Sequence, residues 1–246
     1  MAVHGRGCPG CGGACGGEDR FCRVCGRSLA AEASFPERRH VTAMFSDLCG
    51  YTALAGRLEL EDLRAFMDPI FHEAARIIES FGGTVENFLG DAVLALFGVR
   101  QARDDDPVRA VRAAFLLHGF VRDECRLAMH TGIHSGTVLV HRGRPGTLIP
   151  RALGLPINIA ARLSGLASPD EILLGGGSVP GAGRFYTTEP LGAKSIKGLA
   201  FPVAVHRVVS PAAALSAPGE GGETGGAVSG QGSVQSVPAR AFPLAE

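Results

Sequence analysis

The chain has 246 residues, 46% of them hydrophobic and 20% charged, which suffices for one core of ordinary size with small appendages. Lys and Arg together number 24, as do Asp and Glu, so the formal net charge is zero and nucleic acid is disfavoured as the main partner. The N-terminal MAVHGRGCPG has no apolar core, and no run of eighteen apolar residues occurs, so the sequence reads as cytoplasmic, with neither signal peptide nor membrane span.

Five of the seven cysteines fall in the first 25 residues. Cys8 and Cys11 form one C-x-x-C, and Cys22 and Cys25 form another, each beside glycine. Two such knuckles offer four thiolates to a tetrahedral Zn²⁺, which predicts a structural zinc ribbon over about residues 1–35 with Cys15 as a spare thiol. Apart from Phe21, Val24 and Leu29 the segment has almost no apolar side chains, so metal is expected to hold it together.

A strand is predicted over about 40–46, where Val41, Ala43 and Phe45 alternate with Thr42, Met44 and Ser46. Asp47 stands where that apolar run ends. It either caps the next helix or awaits a cation, because a carboxylate leaving water needs a partner. A helix is predicted over about 61–81, with Leu63, Phe66, Ile70, Ala74, Ile77 and Phe81 on one stripe and Pro69 bending it. TVENFLGDAVLALFG reads as a hairpin turning at Gly90–Asp91. DDDPVRAVRAAFLLHGF starts a helix with Asp106 as N-cap and Pro107 at the first position. CRLAMHTGIHSGTVLV supplies one or two strands, LPINIAARLSGLA a helix, and EILL and PVAVHRVV the closing strands. From about Ser210 Gly, Ser, Ala and Pro dominate, which predicts a disordered tail or linker over 210–246. The main domain, residues 36–209, therefore reads as α+β with a ferredoxin-like βαββαβ order. In that arrangement Asp47 and Asp91 face each other at one sheet edge, and two close carboxylates call for cations such as Mg²⁺.

FSDLCGYTALA, GGTVENFLGDAVLALFG, RAVRAA, INIAARLSGLASPDEILL and SIKGLAFPVAVHRV, in this order, resemble the catalytic domain of class III adenylyl and guanylyl cyclases. A zinc ribbon ahead of such a domain is similar to an arrangement on multidomain bacterial members. The resemblance implies that Asp47, Asp91 and the Leu48 carbonyl hold two Mg²⁺ or Mn²⁺ ions per site. It implies that Asn158 orients the ribose, that Arg162 neutralises charge growing on the α-phosphate, and that Lys197 contacts the terminal phosphates of ATP or GTP. Asn158 and Arg162 stand at i and i+4, on one helix face. In the family the aspartates come from one protomer and the Asn, Arg and Lys from the other, which implies a homodimer with two equivalent sites.

Departures are equally plain. The family's purine-selecting lysine, four residues before the second aspartate, is here Asn87, and the second selector position matches Arg151. GLPIN stands where the family has GDxVN, with Leu155 and Pro156 at polar positions. Three hypotheses follow. The first is an active nucleotide cyclase, favoured by the five phosphate-chemistry residues. The second is a weak or inactive cyclase-like regulatory module, favoured by the substitutions. The third is a zinc-ribbon protein whose ribbon binds a nucleic acid or a protein, with the cyclase domain secondary; neutral charge and few aromatics near the ribbon weigh against nucleic acid.

Overall fold

The computed structural model describes residues 6–8, 10–16, 19, 21–26, 37–140 and 152–211. In the N-terminal segment β1 (Arg6–Gly7) pairs antiparallel with β2 (Ala14–Cys15). In the main domain β3 (Glu37–Leu48) leads through a short α1 (Tyr51–Ala55) to α2 (Leu60–Ser80). β4 (Thr84–Leu89) and β5 (Ala92–Phe97) form the hairpin. There follow α3 (Asp106–Cys125), β6 (Met129–Val140), β7 (Ala152–Leu153), α4 (Leu155–Ser164), β8 (Ile172–Gly175), α5 (Val179–Ala182), β9 (Tyr186–Lys194) and β10 (Val203–Pro211).

The sheet runs β4-β5-β3-β6-β8-β10-β9, with β7 beside β6. Its first four strands carry the βαββαβ order that the alternating pattern predicts: β3 lies between β5 and β6, antiparallel to both. The helices divide between the two faces. Met44, Leu48, Val93, Ala95 and Phe97 pack with α2 and α3, whereas Val41, Ala43, Leu94 and Leu96 pack with Ala160 of α4. This is the period-2 alternation of a strand read out in three dimensions. All six residues of β5 are buried, because helices cover it on both sides. α4 lies hard against the sheet at Gly132, where a Cβ would fall 2.1 Å from the Ala160 carbonyl and 2.4 Å from the Ser164 nitrogen. Any side chain there would push α4 away.

Two local expectations change. α3 takes Asp105 as N-cap and begins at Asp106, because the Asp106 carboxylate turns back to accept from the Arg103 N–H (2.9 Å) and pairs with Arg109. β9 was not expected, because Pro190 and Gly192 interrupt its pattern. It pairs with β10 along its inner side only and carries a register shift at those residues, as an edge strand tolerates.

Under α3 lies a buried polar chain. His118 Nε2 is 2.7 Å from Thr131 Oγ1, which is 2.7 Å from Ser46 Oγ. Burial pushes the His118 imidazole down to about 4, against the opposing pull of Asp170. The unfolded chain takes up this proton near pH 6.5 while the folded chain resists it. Stability from this group is therefore full above pH 6.5, falls as the pH drops, and levels off near 4. The loss is at most about 3 kcal/mol. Urea denaturation at pH 7 and pH 4.5 measures it, and His118→Gln should flatten that acid limb. An unchanged pH 7-to-4.5 difference in the variant would contradict the assignment. Burial lowers His130 and His134 in the same direction, so part of the limb should remain.

Candidate functional site

Four sulfurs come together near the N-terminus. Those of Cys8, Cys11, Cys22 and Cys25 all lie within 4.8 Å of one another. Cys8 and Cys25 are 3.7 Å apart and Cys11 and Cys22 are 3.6 Å apart. A tetrahedral zinc with bonds of ~2.3 Å places its sulfurs about 3.8 Å apart, so the donor set fits that ion. Backbone N–H groups aim at the knuckle sulfurs: Gly10 donates to Cys8 Sγ (3.3 Å) and Val24 to Cys22 Sγ (3.4 Å). The Cys25 and Val24 amides bring Cys22 down to about 6. Cys11 goes the other way, to about 12: the Gly13 amide pulls it down, but the sulfurs of Cys25 and Cys22 outweigh it. Four crowded thiols cannot all ionise without a cation. Cys15 stays outside the set, its thiol pushed to about 11 by burial and then by Cys22, and it donates to the Gly13 carbonyl (3.3 Å).

The second cluster sits at the end of β3. Asp47 does not cap the following helix: the N-cap of α1 is Gly50, without a side-chain bond. Instead the Asp47 carboxylate accepts from the Leu48 N–H (3.2 Å) and lies close enough to Asp91 for the two to oppose each other's ionisation. Asp91 follows Gly90, whose φ of 67° makes the hairpin turn. Partial burial, and then the Asp47 charge, push the Asp91 carboxyl up to about 6. The predicted strand order brings the two aspartates together, and the β3–β5–β4 register produces the meeting. Two half-buried carboxylates close together form a hard-oxygen donor set that fits a divalent ion.

The third cluster lies on α4 and the loop after β9. α4 buries Pro156, Ile159, Ala160 and Leu163, which leaves Asn158 and Arg162 on its exposed side. Ile196 is buried beside Ile159, and the Leu199 N–H closes a turn on the Ile196 carbonyl. That turn presents Lys197. Asn158, Arg162 and Lys197 line one cavity of about 360 Å³, together with Leu155. Neither Asp47 nor Asp91 lines it. One chain thus holds a carboxylate pair and a separate Asn/Arg/Lys pocket.

Asn87 is exposed on β4, just past a register shift at Glu86. Glu86 Oε1 accepts from the Ala152 N–H (3.2 Å), which ties β4 to β7. Arg151 lies outside the described residues.

The family description "Adenylate and Guanylate cyclase catalytic domain" matches residues 34–198. The chain belongs to the adenylate and guanylate cyclase family. The cyclase domain is similar to the solved adenylyl cyclase CyaB of P. aeruginosa, at a TM-score of 0.66 and 26% identity over 71% of this chain and 96% of that one. It is similar to the guanylyl cyclase Cya2 with the same score, at 25% identity over 72% of this chain and 95% of that one. Among curated proteins it is 30% identical to an adenylate cyclase of Streptomyces coelicolor over 136 residues, 55% of this chain and 32% of that protein. An uncharacterized protein of Rhizobium meliloti is 30% identical over 184 residues, 70% of this chain. The chain spans only 18% of that protein's length. Among the described residues of the cyclase domain, no helix is long and apolar enough to cross a membrane.

One residue beside Asp47 escapes the sequence reading. His130 is the cross-strand partner of Asp47, and its Nδ1 lies 2.9 Å from Ser164 Oγ. A lone histidine in an apolar strand carries no periodic signal, so only the register finds it.

Proposed function

We propose that this chain is a nucleotide cyclase, converting ATP or GTP to the 3′,5′-cyclic nucleotide and pyrophosphate at the interface of a homodimer. The observation that carries the reading is the division of one chain into two half-sites, the Asp47–Asp91 pair and the Asn158/Arg162/Lys197 cavity. A two-fold dimer that sets one half-site against the other builds two complete sites. Two ions, Mg²⁺ or Mn²⁺, when bound between Asp47, Asp91 and the Leu48 carbonyl, would acidify the ribose 3′-hydroxyl and neutralise the β- and γ-phosphates. Asn158 holds the ribose so that its 3′-oxygen lies in line with the α-phosphorus. Arg162 donates to the α-phosphate oxygens, where charge grows in the transition state, and Lys197 grips the terminal phosphates that leave as pyrophosphate.

The test is direct. Purified dimer is incubated with Mn²⁺ or Mg²⁺ and with ATP or GTP, and products are identified by mass. Cyclic nucleotide and pyrophosphate in equal amounts are expected. A dimer that binds metal yet makes neither product would favour the second reading, a regulatory module of cyclase fold, to which Asn87 at the selector position already gives some support.

Asn87 also sets the expected selectivity. Its amide offers a donor and an acceptor and can face either purine by rotation. A site of that kind discriminates weakly, whereas a fixed donor rejects the wrong base by several kcal/mol. Arg151, if it reaches the base, donates only, which suits the O6 and N7 acceptors of guanine. The kcat/KM values for ATP and GTP should therefore differ by less than about tenfold, with Asn87→Lys shifting the ratio toward ATP. A parental preference of about a thousandfold would refute this account of the pocket.

We also propose that the N-terminal segment is a ribbon holding one structural Zn²⁺ through Cys8, Cys11, Cys22 and Cys25. The support is the tetrahedral sulfur spacing. Metal analysis of the whole protein should find one zinc per chain, falling to none in a Cys22→Ser/Cys25→Ser variant. Zinc retained by that variant would refute the ligand set.

A further inference from the structure

We propose that His130 is a positioning residue of the cyclase site: it fixes α4, and with it Asn158 and Arg162, to the strand that faces Asp47. The proposal rests on the cyclase reading above and names a residue that reading does not use.

Three observations carry it. The first is register. His130 of β6 stands directly opposite Asp47 of β3, and directly opposed residues share one sheet face. That face is the one α4 covers, as Val41 and Ala43 of the same alternation show. The second is hydrogen bonding. Ser164 Oγ donates its single proton to the His130 carbonyl (3.1 Å). The contact of 2.9 Å between Ser164 Oγ and His130 Nδ1 must then have the imidazole as donor. His130 is therefore held as the Nδ1–H tautomer, and its backbone and ring grip one hydroxyl from both sides. The third is seating. Two residues along, Gly132 lets the C-terminal turn of α4, from Ala160 to Ser164, lie directly on the β6 backbone, so the His130–Ser164 bonds act at the end of the helix that sits closest to the sheet. Ser164 is that end, two residues beyond Arg162. Ser164 is itself 1% exposed, so the pair works inside the protein rather than in solvent.

Apolar packing seats α4 through Ile157, Ile159, Ala160 and Leu163, and the directional His130–Ser164 bonds add the constraint on rotation that apolar contacts lack. Asn158 and Arg162 act on the ribose and on charge that develops during the reaction. A displacement of about 1 Å at such groups costs on the order of a hundredfold in rate and little in substrate affinity.

The experiment compares His130→Leu, His130→Asn and Ser164→Ala in the full-length protein. Leu fills the space of the ring without a donor. The Asn amide nitrogen occupies much the same place as Nδ1 and can donate to Ser164 Oγ. His130→Leu is expected to lower kcat about thirtyfold with KM for the metal–nucleotide within about threefold. His130→Asn should recover most of kcat. Ser164→Ala should lose as much as His130→Leu, and the double variant should lose no more than either. Parental kcat in His130→Leu, equal losses in the Leu and Asn variants, or additive losses in the double variant would each overturn the proposal. Nitrogen-15 spectra of the imidazole supply a readout that needs no turnover: an Nδ1–H ring is expected, and an Nε2–H ring would overturn the assignment. A parental enzyme without turnover but with an Nδ1–H ring would instead count against the cyclase reading alone.

Discussion

Asp47→Ala and Asp91→Ala proteins are expected to fold and to form dimers, yet to lose at least about a thousandfold in cyclase activity, equivalent to about 4 kcal/mol of transition-state stabilisation. Neither side chain belongs to the packed core, and both are only partly buried. What each contributes is charge at a place where charge is costly. Asp91 is pushed up to about 6 by burial and by Asp47. A carboxyl raised in the folded state adds stability below its unfolded value near 3.8 and loses it as the pH rises through about 6. At neutral pH without cations the pair therefore works against the fold. Asp91→Asn should then melt no lower than the parent in chelator at pH 7.5, while the parent alone gains stability on adding Mn²⁺. Activity and melting temperature thus move in opposite directions, which a merely damaged fold cannot produce. Turnover at the parental rate in Asp47→Ala would remove the metal assignment.

Mixing Asp47→Ala with Arg162→Ala protein is expected to recover activity that neither has alone. Each homodimer carries two sites broken in the same way. In a mixed dimer one site collects both defects and the other collects neither. Equal amounts exchanging at random give half mixed dimers with one working site of two, about a quarter of parental activity. The expectation follows from Asp47 and Asp91 standing apart from the cavity that holds Asn158, Arg162 and Lys197. A fully intramolecular site would show no recovery, whatever the mixing. Mixed dimers confirmed by mass, with no recovered activity, would therefore sink the shared-site reading.

The relation between sequence and site differs from one residue to the next. The thiols of Cys8, Cys11, Cys22 and Cys25 were legible because each knuckle is a local event: three peptide units and a glycine decide where two sulfurs point. Asn158 and Arg162 came from the family resemblance; their i, i+4 spacing adds only that they share one helix face, which α4 leaves exposed while burying Ile159 and Leu163. The hairpin at Gly90–Asp91 and the long α2 follow from period and turn chemistry. These are short-range interactions, and a sequence states them directly.

Register and packing are another matter. Whether Asp47 caps a helix or meets Asp91 depends on which strands flank β3 and on where each pairing starts, and a slip of one residue would turn Asp47 to the other face. β9 stayed hidden because Pro190 and Gly192 spoil its pattern, and its pairing with β10 overrides that local cost. Nothing around Ser164 marks it as the partner of His130, 34 residues earlier in the chain. By itself the sequence determined most of the elements, the thiol knuckles and the shared helix face of Asn158 and Arg162, because those choices lie within a few residues along the chain. The tertiary structure alone decided the strand register that sets His130 opposite Asp47, the Ser164 hydroxyl that His130 meets and the edge strand β9, because those choices belong to strand order and register across distant segments.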